Sequence, residues 1–181
     1  MPAPSISTEE LLAAIPHLRA FATSLCGNRD RADDLVQDTL ARAWAKMDRF
    51  EAGTNLNAWL FTILRNLFFS EHRKKVREVE DADGSHASRL FTLPEQTARL
   101  EMQDFRRALM KLPSDQREAL LLVGAEGYAY EEVAEICGCA VGTIKSRVNR
   151  ARTRLAALLG LEDEDSIGVD KIVMAALPVA A

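Results

Sequence analysis

Cysteine and histidine are scarce in this 181-residue chain, which has three of each. Three cysteines are an odd number and form no disulfide framework, so the composition favours a reducing compartment. Cys137 and Cys139 are close neighbours, but no histidine or further cysteine lies near them in the sequence. A four-ligand zinc site therefore lacks candidates, and we predict neither a metal nor another cofactor. Small buried thiols in a turn are the simpler interpretation.

The chain also lacks long apolar runs and catalytic motifs. Its N-terminus, MPAPSISTEE, has no basic segment followed by an apolar one, and the C-terminal run IVMAALPVAA is too short to span a bilayer. These absences favour a cytoplasmic protein without a membrane partner. No Gly-rich phosphate loop, nucleophile elbow or paired catalytic carboxylates occur, so we do not predict an enzyme.

What the chain has is helical periodicity. Its apolar content is 48% and its formal net charge is −4, which suits a globular protein that buries a core. Hairpin signals are rare, so the predicted fold class is all-α. A polar, acidic segment without periodicity divides the pattern and indicates two small helical domains joined by a flexible acidic linker. The predicted domains span residues 8–78 and 95–160, with the linker at 79–94 and a tail at 161–181.

Local signals predict where the first helices begin and end. Ser7 and Glu10 have the spacing of a capping box. Pro16 should interrupt the first helix or start a second one. Asp30 can cap the next helix, whose apolar stripe includes Trp44 and makes that tryptophan a core residue.

Later signals predict the remaining borders. Asn57 is a plausible cap for a long helix from Ala58 to about residue 77, and Pro113 should start a helix that ends near Gly127. Two short helices follow, and the second is strongly basic.

The basic stretch VGTIKSRVNRARTRL, residues 141–155, contains no acid. On a helix, its apolar residues form one face, made of Ile144, Val148, Ala151, Leu155 and Leu158. The outer surface then carries Lys145, Ser146, Asn149, Arg150 and Arg152. A short amphipathic helix with Val133, Ala134 and Ile136 inward precedes it across the small-residue link CGCA. This arrangement predicts a helix-turn-helix whose second helix enters the major groove. The alternative is a solvated basic face on an ordinary bundle helix.

Two blocks of the chain resemble one family. YEEVAEICGCAVGTIKSRVNRARTRL is similar to region 4 of the extracytoplasmic-function group of bacterial sigma factors, the promoter-recognition subunits of RNA polymerase. DRADDLVQDTLARAWAKMDRF and NAWLFTILRNLFFSEHRKK resemble region 2 of the same group. The segments CGNRDRADDLVQDTL and EICGCAVGTIKSRVNRAR are most similar in sequence to the sigma factors of the general stress response. The resemblance implies three partners, namely core RNA polymerase, promoter DNA and an anti-sigma factor.

The resemblance also implies roles for individual residues. The matching polymerase-binding surface is the polar helix face formed by Asp34, Gln37, Asp38 and Arg42. Recognition of the minus-10 promoter element would involve Asn55, Asn57, Arg65, Asn66, Phe69, Arg73 and Lys74. Recognition of the minus-35 element would involve Thr143, Lys145, Ser146, Arg147, Asn149, Arg150 and Arg152.

Two other functions fit parts of the sequence. One is a stand-alone helix-turn-helix regulator whose first block serves dimerisation. The other is a sigma-like mimic that titrates an anti-sigma protein, although the intact basic helix speaks against it. We favour a sigma factor that is monomeric when free. The promoter consensus, the identity of the anti-sigma factor, the inducing signal and the role of the tail do not follow from the sequence.

Overall fold

The computed structural model describes residues 6–51, 53–80 and 97–160, with side chains for all of these except 75–80 and 97–101. Within these ranges the regular structure is helical and contains no strand, which confirms the all-α prediction. The helices are α1 (Thr8–Cys26), α2 (Arg29–Ala45), α3 (Leu56–Glu80), α4 (Thr97–Met110), α5 (Ser114–Gly124), α6 (Tyr130–Cys137) and α7 (Val141–Leu159), with a 3-10 turn at Met47–Arg49. None of the described helices has both the length and the apolarity needed to cross a membrane. The predicted linker and tail lie almost entirely outside the described residues.

Helix α1 is continuous through Pro16, so the expectation that the proline divides it was wrong. The predicted capping box is present, with Glu10 N–H donating to Ser7 Oγ at 3.1 Å and Ser7 N–H donating to Glu10 Oε2 at 2.8 Å. Leu11 and Leu18 are buried on either side of the proline. Their packing maintains the helix although an interior proline disfavours it by about 3 kcal/mol.

Three predicted borders also needed correction. Asn28, and not Asp30, caps α2, because its side chain accepts from Arg31 N–H at 2.9 Å. Asn55, and not Asn57, caps α3 by accepting from Ala58 N–H at 3.2 Å. In both cases the amide lies before the first helical residue, where its oxygen reaches an unpaired N–H of the first turn. Helix α5 ends at Gly124, ahead of the predicted Gly127.

The two predicted domains share one apolar core in this structure. Helices α1 to α3 pack together around Phe21 and Phe61, whose ring centroids are 4.9 Å apart. Phe61 continues the contact to Tyr128, which follows α5, at 5.9 Å. Gly27, at the end of α1, faces Met110 of α4 so closely that a Cβ at residue 27 would lie 2.5 Å from Met110 Cε. We call this the closed arrangement, in which α1 and α3 contact α4, α5 and α6.

Candidate nucleic-acid interface

Helices α6 and α7 form the predicted helix-turn-helix. Helix α6 ends at Cys137 and is followed by Gly138, whose φ of 63° is left-handed and therefore suits glycine; α7 begins three residues after this glycine. Val133 and Ile136 of α6 are buried, as are Ile144, Val148, Ala151 and Leu155 of α7. Leu158 was predicted to be buried with them but is 39% exposed near the end of α7. The buried side of α7 fixes which of its side chains face outward.

The outer side of α7 carries most of the predicted minus-35 residues. Thr143, Lys145, Asn149 and Arg150 are exposed, and Ser146, Arg147 and Arg152 are half-buried. Lys145 Nζ of α7 lies 6.0 Å from the centroid of the Tyr130 ring at the start of α6, so a cation of one helix lies close to an aromatic ring of the other. These side chains give the helix a surface of hydrogen-bond donors with positive charge.

Arg147 differs from its neighbours because it turns inward. Its Nε lies 3.1 Å from Asp115 Oδ2 at the start of α5, and its Nη1 lies 3.9 Å from Cys139 Sγ. The ion pair joins α7 to α5. It holds the guanidinium in one orientation beside the exposed cations of α7.

The predicted minus-10 residues lie along α3 from its cap, Asn55, to Lys74. Asn66, Arg73 and Lys74 are exposed, and Asn57 is half-buried in the first turn. Phe69 is also half-buried, with its ring centroid 5.2 Å from that of Phe68. Asn66, Phe69 and Arg73 are three and four positions apart and lie on one face of α3, whereas Asn57, nine positions before Asn66, lies on the opposite side.

Arg65 is the predicted minus-10 residue with the most contacts. Its Nε donates to Glu118 Oε1 of α5 at 2.7 Å, and its Nη1 donates to Asn66 Oδ1 at 3.1 Å. The guanidinium also lies over the Phe69 ring, 5.1 Å from the centroid. Only 17% of the Arg65 side chain is exposed, and Glu118 is fully buried. This ion pair crosses from the first predicted domain to the second.

Burial changes the acid–base properties of this contact. Loss of solvent raises the pKa of Glu118, although the hydrogen bond and charge of Arg65 oppose the rise. The Cys137 thiol borders the same carboxyl, and burial raises its pKa to about 12. Cys137 therefore stays protonated near neutral pH, as an inert buried thiol does. Among the described residues no group of three or more metal-ligating side chains occurs.

A second contact between the domains involves Asn55 and Tyr128. Burial raises the pKa of Tyr128 to about 12, while a hydrogen bond with the Asn55 side chain opposes the rise. Nearby, His17 Nδ1 of α1 lies 3.4 Å from Glu126 Oε2. Of the predicted minus-10 residues, Arg65 is thus hydrogen-bonded by the second half of the chain, whereas Asn55 is exposed.

The predicted polymerase-binding residues lie together on the exposed side of α2. Asp34, Gln37, Asp38 and Arg42 are all exposed. Trp44 was predicted to be a core residue, but 62% of it is exposed. It follows Gln37 by seven residues, so the two side chains lie within about 20° of each other around the helix. The apolar stripe of α2 ends beside Trp44. The sequence pattern therefore assigned this tryptophan to the core and not to the surface.

Comparisons with known proteins agree with this two-part organisation. Residues 12–78 match the family model "Sigma-70 region 2", and residues 102–155 match "Sigma-70, region 4". The chain is 62% identical over 177 residues to the ECF RNA polymerase sigma factor EcfG of Rhodopseudomonas palustris, covering 98% of both chains. It is 38% identical over 128 residues to the ECF sigma factor SigC of Mycobacterium tuberculosis, covering 70% of this chain and 69% of that one.

A solved structure is similar across both halves. The sigma factor RpoE of Bartonella quintana, in complex with the anti-sigma factor NepR, is 58% identical to the chain and superimposes with a TM-score of 0.77. The match covers 85% of this chain and 96% of that one.

Proposed function

This chain belongs to the extracytoplasmic-function group of RNA polymerase sigma factors, and on that premise we propose how its surfaces act. Helix α2 binds core RNA polymerase, α3 contacts the minus-10 element, and α7 contacts the minus-35 element. The chain acts in the cytoplasm as part of a general stress response. The observation that carries the proposal is the exposed basic side of α7, held outward by a fully buried inner side.

The minus-35 surface has the chemistry that base recognition requires. Arginine forms two hydrogen bonds with guanine, and asparagine does so with adenine, in the major groove. Arg150 and Asn149 are adjacent and exposed on α7. Lys145 and Arg152 supply charge for phosphates, and the Asp115 contact orients Arg147 beside them.

The polymerase-binding surface combines the polar side of α2 with Trp44. An exposed tryptophan beside charged side chains is the composition of a protein-binding hot spot, because a large aromatic surface becomes buried at the centre of a polar rim. Trp44 and Gln37 share one face of α2, and Asp34 lies one turn from Gln37. We therefore add Trp44 to the proposed polymerase contacts.

An anti-sigma factor would bind the chain when transcription is not required. The structure of the Bartonella quintana relative was solved in complex with such a protein, and it superimposes on both halves of the present chain. Binding across α1–α3 and α4–α7 together would cover the surfaces proposed for polymerase and for DNA. Co-purification with a NepR-type protein, and competition between that protein and core polymerase, would test this part.

The main test is run-off transcription with purified core polymerase, this chain and a promoter library. We expect discrete transcripts only when both proteins are present. The variant K145E/R150E should lose them, because two exposed cations of α7 become anions. The matched control R106E/K111E changes the net charge equally on two exposed residues, Arg106 of α4 and Lys111 directly after it, and should retain the transcripts. Equal activity of the two double variants would refute the assignment of α7.

A further inference from the structure

Arg117 of α5 is a buried cation that has no carboxylate partner among the described residues. Cys26, the last residue of α1, lies close to it and forms no disulfide. We propose that Cys26 is a site of reversible oxidation by hydroperoxides, and that Arg117 activates the thiol by stabilising its negative charge. This chemistry depends neither on RNA polymerase nor on DNA.

The contacts of Arg117 leave its charge uncompensated. Only 6% of the residue is exposed. Its Nη1 donates to the carbonyl oxygens of Leu109 and Met110 at 3.5 and 3.1 Å, and contacts the Met110 thioether sulfur at 3.3 Å. Its Nε is buried and has no hydrogen-bond partner in the described part of the chain. A buried charge is costly unless an anion pairs with it, and all of these acceptors are uncharged.

A close contact between helices brings the cysteine to this cation. Cys26 directly precedes Gly27, which packs on Met110 so closely that a Cβ at residue 27 would lie 2.8 Å from Met110 Sδ. The same sulfur contacts Arg117. Burial lowers the pKa of Arg117, and a negative charge on Cys26 opposes that change. A thiolate at residue 26 thus supplies the charge that Arg117 lacks.

The end of α1 acts in the opposite direction but more weakly. A helix carries roughly half a negative charge at its C-terminal end, which disfavours a thiolate there. Arg117 carries a full positive charge and is buried, so solvent and salt screen it little. The attraction is therefore the larger effect. Because Cys26 is only half-buried, a small oxidant has access to it.

Cys139 provides an internal comparison. It is also half-exposed and lies beside an arginine, since Arg147 Nη1 is 3.9 Å from its sulfur. The charge of Arg147, however, is already paired with Asp115 at 3.1 Å. The two cysteines therefore differ in whether the neighbouring cation is neutralised, and we expect Cys26 to be the more reactive.

The proposed step is a nucleophilic substitution at oxygen. The Cys26 thiolate attacks one oxygen of the hydroperoxide, an S–O bond forms, the O–O bond breaks, and hydroxide or alkoxide leaves. The sulfur is oxidised by two electrons to a sulfenic acid, and the peroxide is reduced. Two equivalents of a low-molecular-weight thiol restore the cysteine, first by displacing water to form a mixed disulfide and then by reducing that disulfide.

The experiment treats the whole, folded chain with hydrogen peroxide at neutral pH in the presence of dimedone, which traps sulfenic acids. Mass spectrometry follows the labelling of each cysteine with time. We expect Cys26 to be labelled roughly tenfold faster than Cys139, because the thiolate is the reacting species and an unpaired cation raises its fraction. In urea, which separates Cys26 from Arg117, the two should react alike. Equal rates in the folded chain would overturn the proposal.

Variants of the two arginines test the cause of the difference. R117Q removes the buried cation and should slow labelling of Cys26 by about tenfold, whereas R117K keeps the charge and should retain most of the rate. R147Q is the matched control, since it removes the arginine beside Cys139 and should leave the rate at Cys26 unchanged. Circular dichroism identifies an unfolded R117Q, in which case the comparison of Cys26 with Cys139 in the wild type decides alone. A folded R117Q whose Cys26 reacts like that of the wild type would also overturn the proposal.

Discussion

Replacement of Trp44 by alanine should weaken polymerase binding without loss of stability. A tryptophan side chain carries roughly 150 to 250 Å² of surface. At 62% exposure, roughly 90 to 150 Å² is available to a partner, which is worth about 2 to 4 kcal/mol at about 25 cal/mol per Å². A loss of 2 kcal/mol corresponds to about a 30-fold increase in Kd.

The chain provides its own control, because it has two tryptophans. Trp59 is half-buried and lies 5.3 Å from Phe50 between ring centroids. W59A should lower the free energy of unfolding by about 2 kcal/mol, since it removes packed surface. W44A should change it by less than about 0.5 kcal/mol, as expected for an exposed position.

The assay titrates core polymerase into fluorescein-labelled chain and follows anisotropy, alongside urea unfolding of each variant. W44A should shift the titration and leave the unfolding curve in place, whereas W59A should shift the unfolding curve. The conservative variant W44F should recover most of the affinity. If W44A bound core polymerase like the wild type, or were as unstable as W59A, the assignment of Trp44 to a binding surface would be wrong.

Three further predictions concern DNA, thiol reactivity and pH. R150A should weaken binding of the polymerase complex to promoter DNA by about 1 to 3 kcal/mol, mainly at one base pair of the minus-35 element, as measured by competition with single-base variants. Iodoacetamide at pH 8 should alkylate half-exposed Cys139 and leave Cys137 unmodified until urea is added, because burial raises the pKa of Cys137 to about 12; equal labelling in the native chain would contradict this. Burial raises the pKa of Glu126 above 4.5 despite His17, so the native state binds its proton more tightly than the unfolded state does. The contribution of Glu126 to stability is then greatest at low pH and is lost as pH rises from about 4.5 through the raised pKa. E126Q should remove this dependence from a plot of the thermal unfolding midpoint against pH.

The helices could be predicted from the sequence because their signals are local. The capping box at Ser7, the glycine that ends α6 and the apolar side of α7 depend on residues within one or two turns of each other. The error at Trp44 arose where a periodic pattern is ambiguous. Leu40, four residues before Trp44, is half-buried and lies at the edge of the apolar stripe. Trp44, one turn later, lies beyond that edge and is exposed to solvent.

The contact between the halves could not be predicted in this way, because it joins residues 53 positions apart. One signal was present. Glu118 lies three and four residues before Leu121 and Leu122, on the apolar side of α5, where an acid must find a partner once it is buried. The sequence does not reveal that this partner is Arg65, since no local pattern connects α3 with α5.

The net charge of the chain opposes DNA binding by the free protein. A net charge of −4 opposes the approach of DNA to the whole molecule, although α7 has a basic outer side. Salt screens this effect over about 10 Å, so binding of the free chain to DNA should depend on ionic strength. Core polymerase can overcome it, since binding through α2 would hold the two proposed DNA-binding surfaces on one scaffold, where each raises the effective concentration of the other.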